Sequence, residues 1–242
     1  MTSLPDAARL AWWGTAWLRG HVVTDLLLDA VTGDDAVHEV RDPADGGTPT
    51  SLLDVLLDVR NGGGDSLGLA LPTEGDLVGL GGPSALNLDA VEVGEAAVCG
   101  PAGIALVPHR VGRAVLWRRH VAARRQVPDV GEADRGLRAA LLDSAAALAA
   151  LDVARWRPDV ADELMDLRRT AVLDAPDGTP ARCVELAARG LRCEAIVDLA
   201  LADEGGAVTA LEMAARRDAL RPLDRAARRA VVAACSPEVW PD

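Results

Sequence analysis

The strongest constraint on this chain is a change of texture at Val127-Pro128-Asp129-Val130-Gly131. Residues 1–130 hold 17 of the 23 glycines, and residues 131–242 hold 28 of the 45 alanines. Glycine and proline punctuate short elements, whereas alanine is the best helix former. The chain therefore reads as two unlike parts, mixed α and β over 1–127 and helices alone over 131–242. The expected class is α+β, with an antiparallel β-meander in the N-terminal segment and an all-α helical bundle in the C-terminal one. At 242 residues these are one or two domains, or a single continuous globule.

Periodicity and punctuation place the elements. A helix over about 4–18 carries Trp12, Trp13 and Trp17; the last two are four apart and share a face. A second helix, 22–32, ends at Gly33, and 36–40 alternates like a strand. Ser51 with Asp54 three residues on resembles a capping box and opens a helix to Arg60, closed by Asn61-Gly62. A short strand at 67–71 ends before Pro72, and Pro83 starts a helix to Gly94. Three runs follow, 96–99, 104–107 and 113–121, separated by glycine-containing turns, which is the meander. Beyond Gly131 we expect five helices, at 132–154, 158–169, 180–203, 207–220 and 222–235. Leu137, Leu141, Leu148 and Leu151 stripe the first, and the 180–203 helix is apolar nearly all round, as a central helix would be.

Leu, Val, Ile and Phe make up about a quarter of the chain, above the range of disordered sequences. The alphabet is skewed: no Phe, no Tyr, and every one of the 25 basic residues is Arg. A high-GC bacterial genome explains the missing A/T-rich codons, so Arg is not read here as selected over Lys. No stretch reaches the roughly 18 apolar residues of a membrane span, and the first residues lack a basic leader. Cys99, Cys183, Cys193 and Cys235 show no C-x-x-C spacing and no paired His, which suits reduced, buried thiols. Together these point to a cytoplasmic protein with no membrane partner, no metal and no cofactor.

Charge is the most uneven property. Residues 1–108 contain 16 acids against four arginines, so the whole net charge of −12 resides there. Within 109–125 lie Arg110, Arg113, Arg118, Arg119, Arg124 and Arg125, two histidines and no acid. Six guanidinium groups on a hairpin form either an anion site, for a phosphorylated ligand or nucleic acid, or a seam against the protein's own acidic segments. Only Trp117 lies in that run, too little aromatic surface for base stacking. A second group, Arg216, Arg217, Arg221, Arg225, Arg228 and Arg229, reads as a solvated helix face. Glu212→Arg216 and Asp224→Arg228 are favourable i,i+4 pairs there, as Asp134→Arg138 and Glu185→Arg189 are elsewhere. Positions 217, 221, 225 and 228 would share one stripe if a single helix ran through Pro222.

Catalytic motifs fail their context. Gly64-Asp65-Ser66-Leu67-Gly68 matches G-x-S-x-G and the Gly-Asp-Ser-Leu string of a lipase and esterase family. An elbow serine, however, needs a strand before it and a helix after it, and here the order is reversed. No His follows His120, either. Gly79-Leu80-Gly81-Gly82-Pro83-Ser84 lacks the lysine of a P-loop and reads as a turn where backbones pass closely. Pairing Cys99 with Ile104, and Ile104 with Trp117, would leave His120 roughly 10 Å from Cys99 at ~3.3 Å per residue. Trp must supply all large aromatic core volume; Trp12 and Trp240 are the more exposed candidates, and Trp12 is the partner-binding residue we single out. The chain reads as a non-catalytic binding or regulatory protein acting on another protein. The alternatives are a binder of phosphorylated ligands or nucleic acid at 109–125, and an enzyme whose site the linear sequence hides.

Overall fold

A computed structural model describes residues 4–43, 46–150, 173–202 and 210–241. Among them are seven α-helices: α1 (Asp6–Leu18), α2 (Thr24–Thr32), α3 (Leu52–Asn61), α4 (Ser84–Val93), α5 (Val130–Ala150), α6 (Ala181–Ala202) and α7 (Ala210–Ala234). The strands are β1 (Val37–Arg41), β2 (Pro49–Thr50), β3 (Gly68–Ala70), β4 (Ala96–Cys99), β5 (Ile104–Val111) and β6 (Ala114–Val121). The protein is α+β, with the strands N-terminal and the long helices C-terminal. The helix expected at 158–169, like Leu151, lies outside the described residues.

The strands form one six-stranded mixed sheet in the order β2-β1-β6-β5-β4-β3. The three runs read as a meander pair antiparallel, but they are the middle of this larger sheet. β1 joins β6 in parallel, a long-range pairing that a local alternation pattern cannot announce. β5 also runs four residues past its expected end, to Val111, and turns through Gly112 and Arg113 alone. That two-residue turn shifts the register: Ile104 faces Val121 and not Trp117.

Alternation then divides the sheet. Cys99, Ile104, Leu106, Val115 and Trp117 belong to a large core with α1, α3 and the C-terminal helices. Val98, Ala105 and Val107 belong to a small core that α4 closes. The large core is continuous across both segments, and each fully buried Leu or Val within it contributes about 1.5–3 kcal/mol. Ser51 caps α3 as expected: its Oγ accepts from the Asp54 N–H at 3.1 Å, while Asp54 Oδ2 accepts the Ser51 N–H at 3.3 Å.

Two expectations for the C-terminal segment change. The helices expected at 207–220 and 222–235 are, over the described residues, one helix, α7 (Ala210–Ala234), which passes through Pro222. Central position also belongs to α7 and not to α6, since Ala227 and Ala230–Cys235 are completely buried. Alanine makes this possible by letting neighbours approach the α7 backbone. The chief neighbour is Gly190 of α6, where a Cβ would stand 2.6 Å from Val231 Cγ2. In α5, Leu137 is buried, Leu148 is partly buried, and Leu141 is exposed.

Candidate functional site

The basic hairpin is folded against the protein's own acids. Arg110 bridges Asp6 (2.6 Å) and Asp35 (3.0 Å). Arg118 reaches Asp89 at 2.9 Å, and Arg119 reaches Asp58 at 2.6 Å. Arg113 donates to the Asp34 carbonyl at 2.9 Å, and Arg124 is exposed. The Arg125 side chain is almost inaccessible and bonds Glu238 (2.6 Å), the carbonyls of Leu69 (2.8 Å) and Gly79 (3.0 Å), and Ser236 Oγ (3.2 Å). It ties β3, the glycine-rich turn and the C-terminal residues together. The turn is one of close approach: a Cβ on Gly81 would lie 2.2 Å from the Arg124 carbonyl oxygen.

The acids register these contacts. Burial pushes the Asp89 carboxyl upward, but His120 Nε2 at 2.7 Å and His109 Nε2 at 3.0 Å outweigh it and hold Asp89 below the ordinary range. Asp35 is likewise lowered, with burial opposed by His38 and Arg110. Trp117 Nε1 donates to His38 Nδ1 at 3.1 Å, so in the neutral ring Nε2 carries the proton toward Asp35.

Three sequence readings resolve in this geometry. Trp12, expected to be exposed, is completely buried and donates to the Ala234 carbonyl at 3.2 Å. Trp240 is partly buried and donates to the same carbonyl at 2.9 Å. Ser66 lies on a helix-to-strand loop and donates to Asp65 at 2.9 Å. His120, beside Val121 on β6, is nearer Cys99 in register than expected, but it faces the opposite side of the sheet. All four thiols are buried, and burial raises each of them, Cys183 to about 11. Among the described residues no cluster of His, Cys, Asp and Glu is arranged to hold a metal.

The second arginine group has a different surrounding. With α7 unbroken at Pro222, Arg217, Arg221, Arg225 and Arg228 fall on one stripe, and that stripe lines a cleft of about 410 Å³. The turn Thr73–Asp76 forms another side, and Val197, Asp198 and Leu201 of α6 form the third. Arg225 and Arg228 approach Asp76 at 3.3 and 3.2 Å, and Arg228 also meets Asp224 at 3.2 Å and the Leu71 carbonyl at 3.2 Å. Among the described residues Arg221 pairs only with Asp218 of its own helix (2.9 Å), both well exposed. Arg217 is exposed and has no partner among the described residues.

Carboxylates at and behind this cleft are pushed the other way from Asp35 and Asp89, and the same way as Glu95 beside the hairpin's Arg110, a carboxyl that burial raises to about 7. Burial, then Asp224, raises Glu194 to about 8, against a lowering by Arg228; its Oε1 is buried without a partner. Burial and Asp224 also raise Asp198. Sequence reasoning passed over Glu194, Asp198 and Asp76. The first two are spaced i,i+4 on a helix read as apolar, and that spacing was the available signal. The i,i+4 pairs Asp134–Arg138 (2.5 Å) and Asp224–Arg228 are present. Arg189 pairs instead with Asp134 at 2.7 Å, and the Glu212 side chain lies outside the described residues.

A mixed sheet closed by long helices, with an unsaturated cleft between turn and helices, defines an α+β protein with a ligand-sized recess. Two family models match the chain, Rv1486c-like protein, N-terminal domain, over residues 7–132, and Rv1486c-like protein, C-terminal domain, over residues 131–232. The chain belongs to this Rv1486c-like family. No curated protein and no solved structure matches it. No helix among the described residues is long and apolar enough to cross a membrane.

Proposed function

We propose that this is a non-catalytic binding protein and that it holds its ligand in the cleft between the 73–76 turn, α6 and α7. The carrying observation is a recess of about 410 Å³ with Val197 and Leu201 beside charged groups from three elements. That is the size and mixture of a small-ligand site. Four of the six hairpin arginines, Arg110, Arg118, Arg119 and Arg125, by contrast, have their charge taken up by Asp6, Asp35, Asp58, Asp89 and Glu238. Four buried thiols support a reducing compartment, the cytoplasm. Titration calorimetry against a panel of small polar ligands and nucleic acids, at two salt concentrations, tests the reading. Binding should be lost in R217A/R221A and kept in R110A/R118A. The reverse pattern, with a steep salt dependence, would give the function to the hairpin and to phosphate-bearing ligands.

A second reading, interaction with another protein, draws on a different feature. Val37, Ala114 and Val111 lie side by side across β1, β6 and β5, with Val37 and Val111 half or more exposed. Val111→Glu should abolish a specific co-purifying protein if that row is the contact. Retention of the same protein would refute it.

A further inference from the structure

The cleft also constrains the chemistry of what it takes, if it is the binding site. Its charges are not mixed at random. Arg225 and Arg228 are held by Asp76, and Arg228 by Asp224 too, so that end of the stripe is neutralised. Arg217 and Arg221 lie one turn apart at the other end. Among the described residues one has no partner, and the other has only an exposed pair with Asp218, a kind of pair that contributes little. An anionic group can displace that pair at small cost.

On the α6 side, Asp198 is exposed and has no cation partner among the described residues, and the same holds for Glu74 on the turn. Asp198 and Asp224 both border the cleft, and the resulting repulsion is relieved by a positive group arriving between them. Beside Asp198 on the α6 wall, Leu201 is 43% exposed, while Val197 is almost wholly buried. An apolar surface of this kind gains by covering a short hydrocarbon stretch.

We propose that the cleft receives a small zwitterion with an apolar middle. Its carboxylate or phosphate meets Arg217 and Arg221, its ammonium group meets Asp198 and Glu74, and its methylenes cover Leu201. A simple anion would leave the α6 acids unanswered and be repelled by them. A simple cation would meet the same objection from the two arginines. Only a ligand carrying both charges satisfies both sides at once.

The test uses the full chain and three matched probes, 6-aminohexanoate, hexanoate and hexylammonium, by titration calorimetry at pH 7. The zwitterion should bind about tenfold or more tightly than either half-probe. R217A/R221A should reduce it to the level of hexylammonium, and D198N to the level of hexanoate. R217Q and R221Q, which keep a polar side chain but remove the charge, should reproduce the loss. If hexanoate binds as tightly as the zwitterion and loses affinity in R217A/R221A, the zwitterion proposal is overturned while the cleft survives as an anion site. If none of the three probes binds saturably, or binding ignores both variants, the proposal and the cleft reading fall together.

Discussion

Two groups of six arginines, similar in sequence, end with different numbers of their charges answered: four at the hairpin meet acids, whereas Arg217 and Arg221 of α7 are left facing a cleft. The hairpin group faces acids from α1, α3, α4, the 34–35 turn and the C-terminal residues, and those it meets at Asp35 and Asp89 are held low in pKa. The α7 group shares its surroundings with carboxyls at Glu194 and Asp198 that are pushed high. A lowered acid marks a carboxylate whose hydrogen bonds and cations outweigh its burial, and a raised one marks burial that its partners do not offset, as at Glu95 beside Arg110 on the hairpin side. Local charge density therefore says little about function. What decides is whether the topology brings counter-charges to meet it, and at the hairpin it does so across the whole length of the chain.

The sharpest way to break this comparison is to remove a saturated arginine. The Arg125 side chain is almost inaccessible and bonds two carbonyls, a hydroxyl and Glu238. Arg125→Met should cost about 2–4 kcal/mol of unfolding free energy, because it strands two buried carbonyls and a buried hydroxyl. Denaturant melts measure this; a loss below about 1 kcal/mol would mean that the clamp carries no load. Gly68→Ala attacks the same point from outside, since its Cβ would fall 1.7 Å from Arg125 Nη2.

Next in size is Asp89, which answers Arg118, His109 and His120 together. Asp89→Asn should destabilise by about 2–3 kcal/mol at pH 6. The pH sign follows from its lowered pKa. The folded state holds the ionised form more firmly than the unfolded chain does, so this stability is present above pH ~4 and drains away as pH falls further. The penalty of the variant should therefore shrink toward pH 3 in parallel melts.

Much of this contrast was hidden in the linear sequence for identifiable reasons. The Ser51–Asp54 cap, the α3 boundaries and the switch to alanine-rich helices are local features, and they were legible. The parallel β1–β6 pairing joins residues some 77 apart (Val37 with Ala114), and no window contains both. Trp12 was misjudged because helix periodicity ranks faces but does not say how many of them are covered. The sheet and the C-terminal end of α7 both pack on α1, and Trp12 meets the latter. The hairpin seam was recognisable as one of two options from the charge arithmetic alone. The stripe 217–221–225–228 was legible only on condition that a helix ran through Pro222, and the cleft was not, because its other walls, the 73–76 turn and α6, lie far away in sequence.

Smaller effects probe the unsaturated side. Glu194 is raised to about 8, the reverse of Asp89, so the folded protein keeps its proton to higher pH than the unfolded chain. Stability from this group is present at acidic pH and is lost as pH rises from about 4.5 through 8. Glu194→Gln should therefore stabilise the protein by about 1–2 kcal/mol at pH 9 and by almost nothing at pH 5. A variant that melts in parallel with the parent across that range would place Glu194 in an ordinary solvated setting.

The smallest predicted change carries the comparison furthest. Arg217 holds nothing in the fold among the described residues, so Arg217→Ala should alter stability by less than about 0.5 kcal/mol. The same Arg-to-Ala change at Arg110, which bridges Asp6 and Asp35, removes an answer to the buried Asp6 and should cost about 1–2 kcal/mol. Melting both variants beside each other distinguishes arginines that hold the structure from arginines kept for something outside it. Equal losses would mean that α7 uses its cationic stripe internally as well, and the cleft would then be one more seam.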